Sequence, residues 1–353
     1  LGTPQVARAA QAVLFCGLLL FSGCVHAESA LDRVRAAHSL TCGVIQEEED
    51  YSHAEDHGNR AAFDLDMCKA VAVAVLGKGA AFTVKVFPAE EDGVDALRRG
   101  AVELLASASP TLRNETVEGL GFTRPTFYDG EGLMILNDAA IRSPLDLTGK
   151  DLAGKKVCFV IESRTETGLR DYAAREHISY IWYPFSEAGE MEAAFFTGNC
   201  AALAGDVSQL ANTRAIDPKR AHDFTILPQI LREDPLAVAY RQGDPRFAAV
   251  VNAVVDTLIE AEELGLTRAN AGSASMAASP EFAVQALLGR PLGTGTLLGL
   301  DRYWARNVIE ATGNYGEIFA RDLGLGSPLR LERGENRLWT EGGLMYAPLL
   351  DSR

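Results

Sequence analysis

Ser107, Ser109, Thr111 and Arg113 follow on Val102–Ala106, which reads as a strand. Hydroxyls and a guanidinium just past a buried strand are the materials of a carboxylate site. Arg presents a planar fork of donors that matches two carboxylate oxygens. A solvated turn is the plain alternative for the same residues. Further along, Cys200–Leu203 reads as a strand leading into Gly205-Asp206-Val207-Ser208. Asp206 thus stands at a turn corresponding to that of Thr111. One turn offering a cation and another an anion would suit a zwitterion, although Asp is also a common turn former.

The elements that must carry these turns alternate. Leu31–His38 reads as a helix, Leu40–Ile45 as a strand, Phe63–Leu76 as a helix, Phe82–Phe87 as a strand and Glu90–Arg99 as a helix. Lys155–Ile161, Tyr180–Tyr183 and Cys200–Leu203 then read as strands separated by helices over Glu166–Glu176 and Glu187–Thr197. The order strand, helix, strand, helix, strand, polar turn therefore occurs twice. It predicts an α/β protein with two largely parallel sheets, whose ligand sits beyond the carboxyl ends of the strands. Phe127–Ile135 predicts the crossover between the two units, and Leu236–Arg241 the return. Phe247–Glu263 is an amphipathic helix, and further helices are expected over Phe282–Leu288 and Arg302–Thr312.

The chain has 353 residues and a net charge of −15, or −16 without residues 1–27, which carry only Arg8. Such acidity argues against nucleic acid and anionic lipid as partners. Val13–Phe21 is apolar and too short to span a bilayer. With Arg8 before it and Val25-His26-Ala27 after it, residues 1–27 read as a secretory signal cleaved after Ala27. Leu20-Phe21-Ser22-Gly23-Cys24 offers a lipid-anchor alternative. Outside the signal lie Cys42, Cys68, Cys158 and Cys200. After export an even number suggests two bridges, Cys42–Cys68 in the first half and Cys158–Cys200 in the second.

The polar loop Gln46–Asn59 contains Glu47-Glu48-Glu49-Asp50-Tyr51, then His53 and His57. Four-residue spacing would place both imidazoles on one helix face, but Gly58-Asn59 indicates a loop, so no metal is expected. No cofactor is expected either. No Gly-x-Ser-x-Gly elbow and no metalloprotease His-Glu pair is present.

Several segments carry a resemblance. Leu40-Thr41-Cys42-Gly43-Val44, Phe63–Ala70, Tyr128-Asp129-Gly130-Glu131-Gly132 and Arg241-Gln242-Gly243-Asp244 resemble the substrate-binding proteins of polar amino-acid ABC importers, the general L-amino-acid-binding group above all. So do Ala261–Gly265, Gly313–Phe319 and Gly342–Pro348. The resemblance covers nearly everything after the signal. It implies a two-lobed periplasmic-binding-protein fold of type II with a two-strand hinge. Lobe one would take residues 28–131 and return over 238–353 with a helical extension; lobe two would take 132–237. It also implies a periplasmic monomer without enzymatic activity, closing on one solute and docking to a permease with its ATPase.

By resemblance, Tyr51 packs on the ligand, Thr111 binds its carboxylate and Asp206 its α-amino group. Ser109, Arg113, Ser163 and Arg164 complete the expected site. Departures are evident: the family's carboxylate arginine aligns with Asn114, with Arg113 one place early. The usual glycine-threonine anion turn is replaced by Glu162-Ser163-Arg164. Glu162 would repel a carboxylate unless Arg164 turns inward and replaces the missing donors. The acidic run Glu47–Asp50 would favour a cationic side chain, or is simply a solvated face. Loss of amino-acid binding in favour of another solute, or a sensor or scaffold role, is the alternative. A lyase on the same fold rests on analogy alone.

Overall fold

The computed structural model describes Gly2 and residues 28–45, 60–137, 141–148, 156–217, 219–290 and 294–348. Tyr51, the acidic run before it, His53, His57 and all of the expected signal but Gly2 lie outside the described residues.

The first lobe is built from α1 (Ala30–Ala37), β1 (Ser39–Ile45), α2 (Arg60–Leu76), β2 (Ala81–Phe87), α3 (Glu90–Arg98), β3 (Leu104–Ala108) and α4 (Leu112–Thr116). Strand β1 pairs in parallel with both β2 and β3. The burial of β3 is complete, as expected for a central parallel strand covered on both faces. Next comes β4 (Leu120–Leu136), a single 17-residue strand where the sequence suggests a connector, a proline and a hinge. Pro125 does not end it. Instead the pairing shifts register on either side of Pro125, which absorbs the missing donor.

The second lobe repeats the pattern with β5 (Lys156–Val160), α5 (Arg164–Arg175), β6 (Ile181–Phe185), α6 (Ala188–Phe196), β7 (Ala202–Asp206), α7 (Val207–Ala215) and β8 (Phe224–Ile226). Strand β5 pairs in parallel with β6 and β7, while β4 runs antiparallel to β7 and β8. The chain returns through β9 (Arg232–Arg241), antiparallel to both β3 and β4. The strand order is β2-β1-β3-β9-β4-β7-β5-β6, with β8 on β4. Strands β4 and β9 are thus the two that cross between the lobes. Each lobe has its own buried clusters: Leu133, Ile135, Phe159 and Leu169 in lobe two, and Leu40, Phe63, Val71 and Val251 in lobe one.

Both expected disulfides are formed. Cys42 of β1 is joined to Cys68 of α2, and Cys158 of β5 to Cys200, with Cα separations of 6.0 and 5.8 Å. Each ties an element to the sheet of its own lobe.

After β9 come α8 (Pro245–Glu263), α9 (Ala274–Ala277), α10 (Phe282–Leu287), α11 (Gly295–Leu298), α12 (Trp304–Thr312) and α13 (Tyr315–Asp322). Asn314 and Glu317 form a capping box that starts α13. The segments most distinctive in sequence meet here. Tyr315 donates its hydroxyl to the Thr126 carbonyl at 2.9 Å. Asn336 accepts from Tyr128 N at 2.7 Å and donates to Tyr128 O at 3.0 Å. A Cβ on Gly316 would come within 2.6 Å of the Glu262 carboxylate, which pairs with Arg333. Through Tyr315 and Asn336 this segment braces the crossing strand.

Candidate functional site

Period-two geometry places one acid after another along the crossing strands. In the register of β4 and β9, Asp129 opposes Asp234 and Glu131 opposes Arg232; on its other side Glu131 opposes Asp206 of β7. Directly paired residues project from the same sheet face, and residues two apart on a strand share that face. Asp129, Glu131, Asp206, Asp234 and Arg232 therefore stand on one face of the sheet where the lobes meet.

Lobe one adds Glu90, the first residue of α3, and Ser109, just past β3. The Ser109 amide donates to Glu90 Oε1 at 3.0 Å, and its hydroxyl lies 3.1 Å from Glu90 Oε2 and 3.4 Å from Asp234 Oδ1. Asn114, which the resemblance aligns with a carboxylate-binding arginine, donates to Glu90 Oε1 at 3.1 Å and to the Ser109 carbonyl at 2.9 Å. It has become a support for the acid.

Lobe two reaches across with Arg164. Its guanidinium donates to Ser109 Oγ at 2.8 Å and to Glu90 Oε2 at 3.1 Å, and lies 3.6 Å from Asp234 Oδ2. Burial disfavours its charge, but Glu90, Asp234 and Asp206 outweigh that and hold the guanidinium pKa above its ordinary value. Arg164 is placed by a short structural sequence. Ser163 caps α5, accepting from Glu166 N at 3.0 Å and donating to the Val160 carbonyl at 2.6 Å. Glu162 before it has φ +57°, a left-handed conformation that glycine adopts freely and glutamate at some cost. The Glu162 amide donates to Glu166 Oε2 at 2.8 Å.

Beneath this lies a buried polar network at the hinge. Arg60 donates to Ser107 Oγ, and pairs with Asp64 at 3.4 Å and Asp129 at 3.7 Å. Asp129 also accepts from Ser208 N at 3.2 Å, from the Ser208 hydroxyl and from Gly130 N at 2.9 Å. Burial pushes Asp64 and Asp129 up, against the opposing pull of Arg60. Glu131 is 2% exposed and also pushed up by burial, to about 7, with Arg232 3.7 Å away pulling the other way.

Of the residues expected from sequence, Ser109, Arg164 and Asp206 come together; Asp206 is within electrostatic reach of Arg164. Thr111 and Arg113 do not join them. Thr111 is exposed and caps α4, accepting from Asn114 N at 3.1 Å. Arg113 has a side chain 76% exposed and pairs with Glu118 at 3.1 Å. Helix α4 starts at Leu112, and Arg113 in its first turn points outward to Glu118. Ser163 spends its hydroxyl on the cap of α5. Sequence reasoning missed Glu90, Asp234, Arg232 and Glu131. Glu90 reads as an ordinary acid in a first helical turn, and Pro235 hides the start of β9. The signal available for Asp234 was the charged run Arg232-Glu233-Asp234 immediately before the expected return strand. Among the described residues, no group of three His, Cys, Asp or Glu could hold a metal ion, and no helix is long and apolar enough to cross a membrane.

Two α/β lobes joined by two crossing strands, with polar groups converging between them, define a periplasmic-binding-protein fold. The chain belongs to the periplasmic amino-acid-binding proteins of ABC importers, a family of transporter components rather than enzymes. It is 37% identical to the general L-amino acid-binding periplasmic protein AapJ of Rhizobium johnstonii, over 91% of this chain and 92% of that one. It is 35% identical to the glutamate/glutamine/aspartate/asparagine-binding protein BztA of Rhodobacter capsulatus, over 91% and 93% respectively. An ABC transporter periplasmic binding protein from Brucella ovis with glutathione bound superposes with a TM-score of 0.75 at 34% identity, covering 92% of this chain and all of that one. No family model matches.

Proposed function

We propose that this protein binds an amino acid with a cationic side chain between its two hinged lobes and presents it to an inner-membrane permease. The observation that carries the reading is the row of Asp129, Glu131, Asp206 and Asp234 on one face of the crossing strands, with Glu90 at its rim. These five carboxylates outnumber Arg60, Arg164 and Arg232, which favours a cationic group even though burial pushes Asp129, Glu131 and Asp234 up and lessens the charge they carry. Asp206 takes the α-amino group. Arg164 is the donor for the α-carboxylate, in the role expected of Arg113. Its reach from α5 to Glu90 and Ser109 supports a closed form in which each lobe holds the other.

The solute favours the closed form through contacts it makes with both lobes at once. A thermal-shift scan of the mature protein against the standard amino acids and ornithine, at low salt, tests the proposal. A ligand at a hundred times its Kd stabilises by about 2.7 kcal/mol. Shifts with arginine, lysine or ornithine are expected. Shifts confined to neutral or acidic amino acids would overturn the cationic reading, and a flat scan would remove amino acids altogether.

A further inference from the structure

Glu131 differs from every other acid of this row. Asp129 is saturated by Ser208, Gly130 and Arg60, and Glu90 by Ser109, Asn114 and Arg164. Asp234 has Ser109 and Arg164. Glu131 Oε2 is buried and accepts no hydrogen bond, while its other oxygen has Arg232 at 3.7 Å. An unpaired buried carboxylate oxygen costs free energy unless something supplies a donor. The chain also makes room for this carboxyl. Its Oε2 lies against Gly168 in α5, where a Cβ would come within 1.5 Å of it.

We infer that Glu131 is a cation subsite of the cleft, its Oε2 the acceptor for an ammonium or guanidinium group of the bound solute. This rests on the cationic reading above and names the acid that enforces it. Position supports it. Glu131 stands between the crossing strand β9 and the end of β7, in register with Asp206 and beneath Gly168 of α5, one turn from Arg164. The groups facing it are Arg232 and Asp234 from β9, Arg164 and Asp171 from α5, and Asp206 from β7; Asp129 precedes it on β4. A cation entering here completes the pairing that Arg232 begins.

A proton and the cation then compete for one carboxyl. With a pKa of about 7, Glu131 is mostly protonated at pH 6 and mostly ionised at pH 8. Only the ionised form accepts the cation, so apparent affinity scales with its fraction. Binding should therefore tighten about tenfold from pH 6 to pH 8. It should release close to one proton at pH 6 and almost none at pH 8.

The experiment is calorimetry of the wild-type protein with L-arginine and L-lysine at both pH values, in buffers of different ionisation enthalpy, which counts the protons without any variant. Glu131→Gln should bind at least tenfold more weakly at pH 8 and lose the proton release. Gly168→Ala, which favours the helix but displaces the carboxyl, should do the same while unfolding as a single transition. Binding without proton release, together with wild-type affinity in Glu131→Gln, overturns the subsite and leaves the proposed function standing. Failure of every cationic amino acid to bind at either pH overturns the proposed function, and the subsite with it.

Discussion

At the scale of single residues, the site is a matter of which side chains are already committed. Ser163 and Thr111 have hydroxyls at strand ends, as a carboxylate site requires, but each stands before a helix and caps it. An N-cap satisfies an amide that would otherwise lack a partner and contributes about 1 kcal/mol. Arg113 and Arg164 both stand in the first turn of a helix that follows a strand, and only Arg164 points across the cleft. The contrast gives a direct test. Arg113→Ala should change ligand affinity less than about twofold, whereas Arg164→Ala and Asp206→Ala should each weaken it more than about tenfold, since each removes a charged partner of the proposed ligand. Titration calorimetry of the three variants checks this; equal losses in all would return Arg113 to the site. The Arg164–Glu90 pair is half-exposed on the arginine side, so its own contribution is modest, about 1 kcal/mol or less.

Among elements, the crossing strand β4 is held from several directions. Strand β9 pairs with it over most of its length, α7 supplies Ser208 to Asp129, and the C-terminal segment grips Thr126 and Tyr128 through Tyr315 and Asn336. A hinge that carries the site's acids must bend without losing their register, and such bracing fixes where bending occurs. The disulfides act inside the lobes and leave this strand free. Closing loops of 26 and 42 residues, each contributes about 3–4 kcal/mol in the chain-entropy account. Replacing Cys42 and Cys68 together by Ala should lower thermal stability by about that amount. Replacing Cys158 and Cys200 should do the same, with ligand affinity preserved in both, because neither bridge touches the cleft. A pair whose loss removed binding in a folded protein would show that lobe rigidity shapes the site.

For the whole molecule, the proposed function rests on a balance between two arrangements of the lobes. Ligand contacts shift that balance only by their difference between the open and closed forms. Arg164 gives the protein a contact of its own across the cleft, so part of the closure energy comes from the chain itself. Arg164→Ala should accordingly show a larger radius of gyration than wild type in solution scattering without added ligand, and should contract when ligand is added. Identical radii without ligand would mean that the ion pairs of Arg164 do not hold the lobes together.

Sequence by itself determined the elements and their alternation. Apolar periodicity, glycines at helix ends and paired cysteines are local signals, and they led to the lobes, both bridges and the family through motifs that prove to be structural. Resemblance also led to the expectation that Asn114 replaces a carboxylate-binding arginine. What it could not decide was which charges meet. Asp129, Glu131, Asp206 and Asp234 lie on three strands up to 105 positions apart, and only antiparallel register sets them on one face. Likewise Arg164 and Glu90 are 74 residues apart, and nothing local distinguishes Arg164 from Arg113. A side chain's partner is fixed by where the sheet and the helix starts place it, and that placement belongs to the tertiary structure alone.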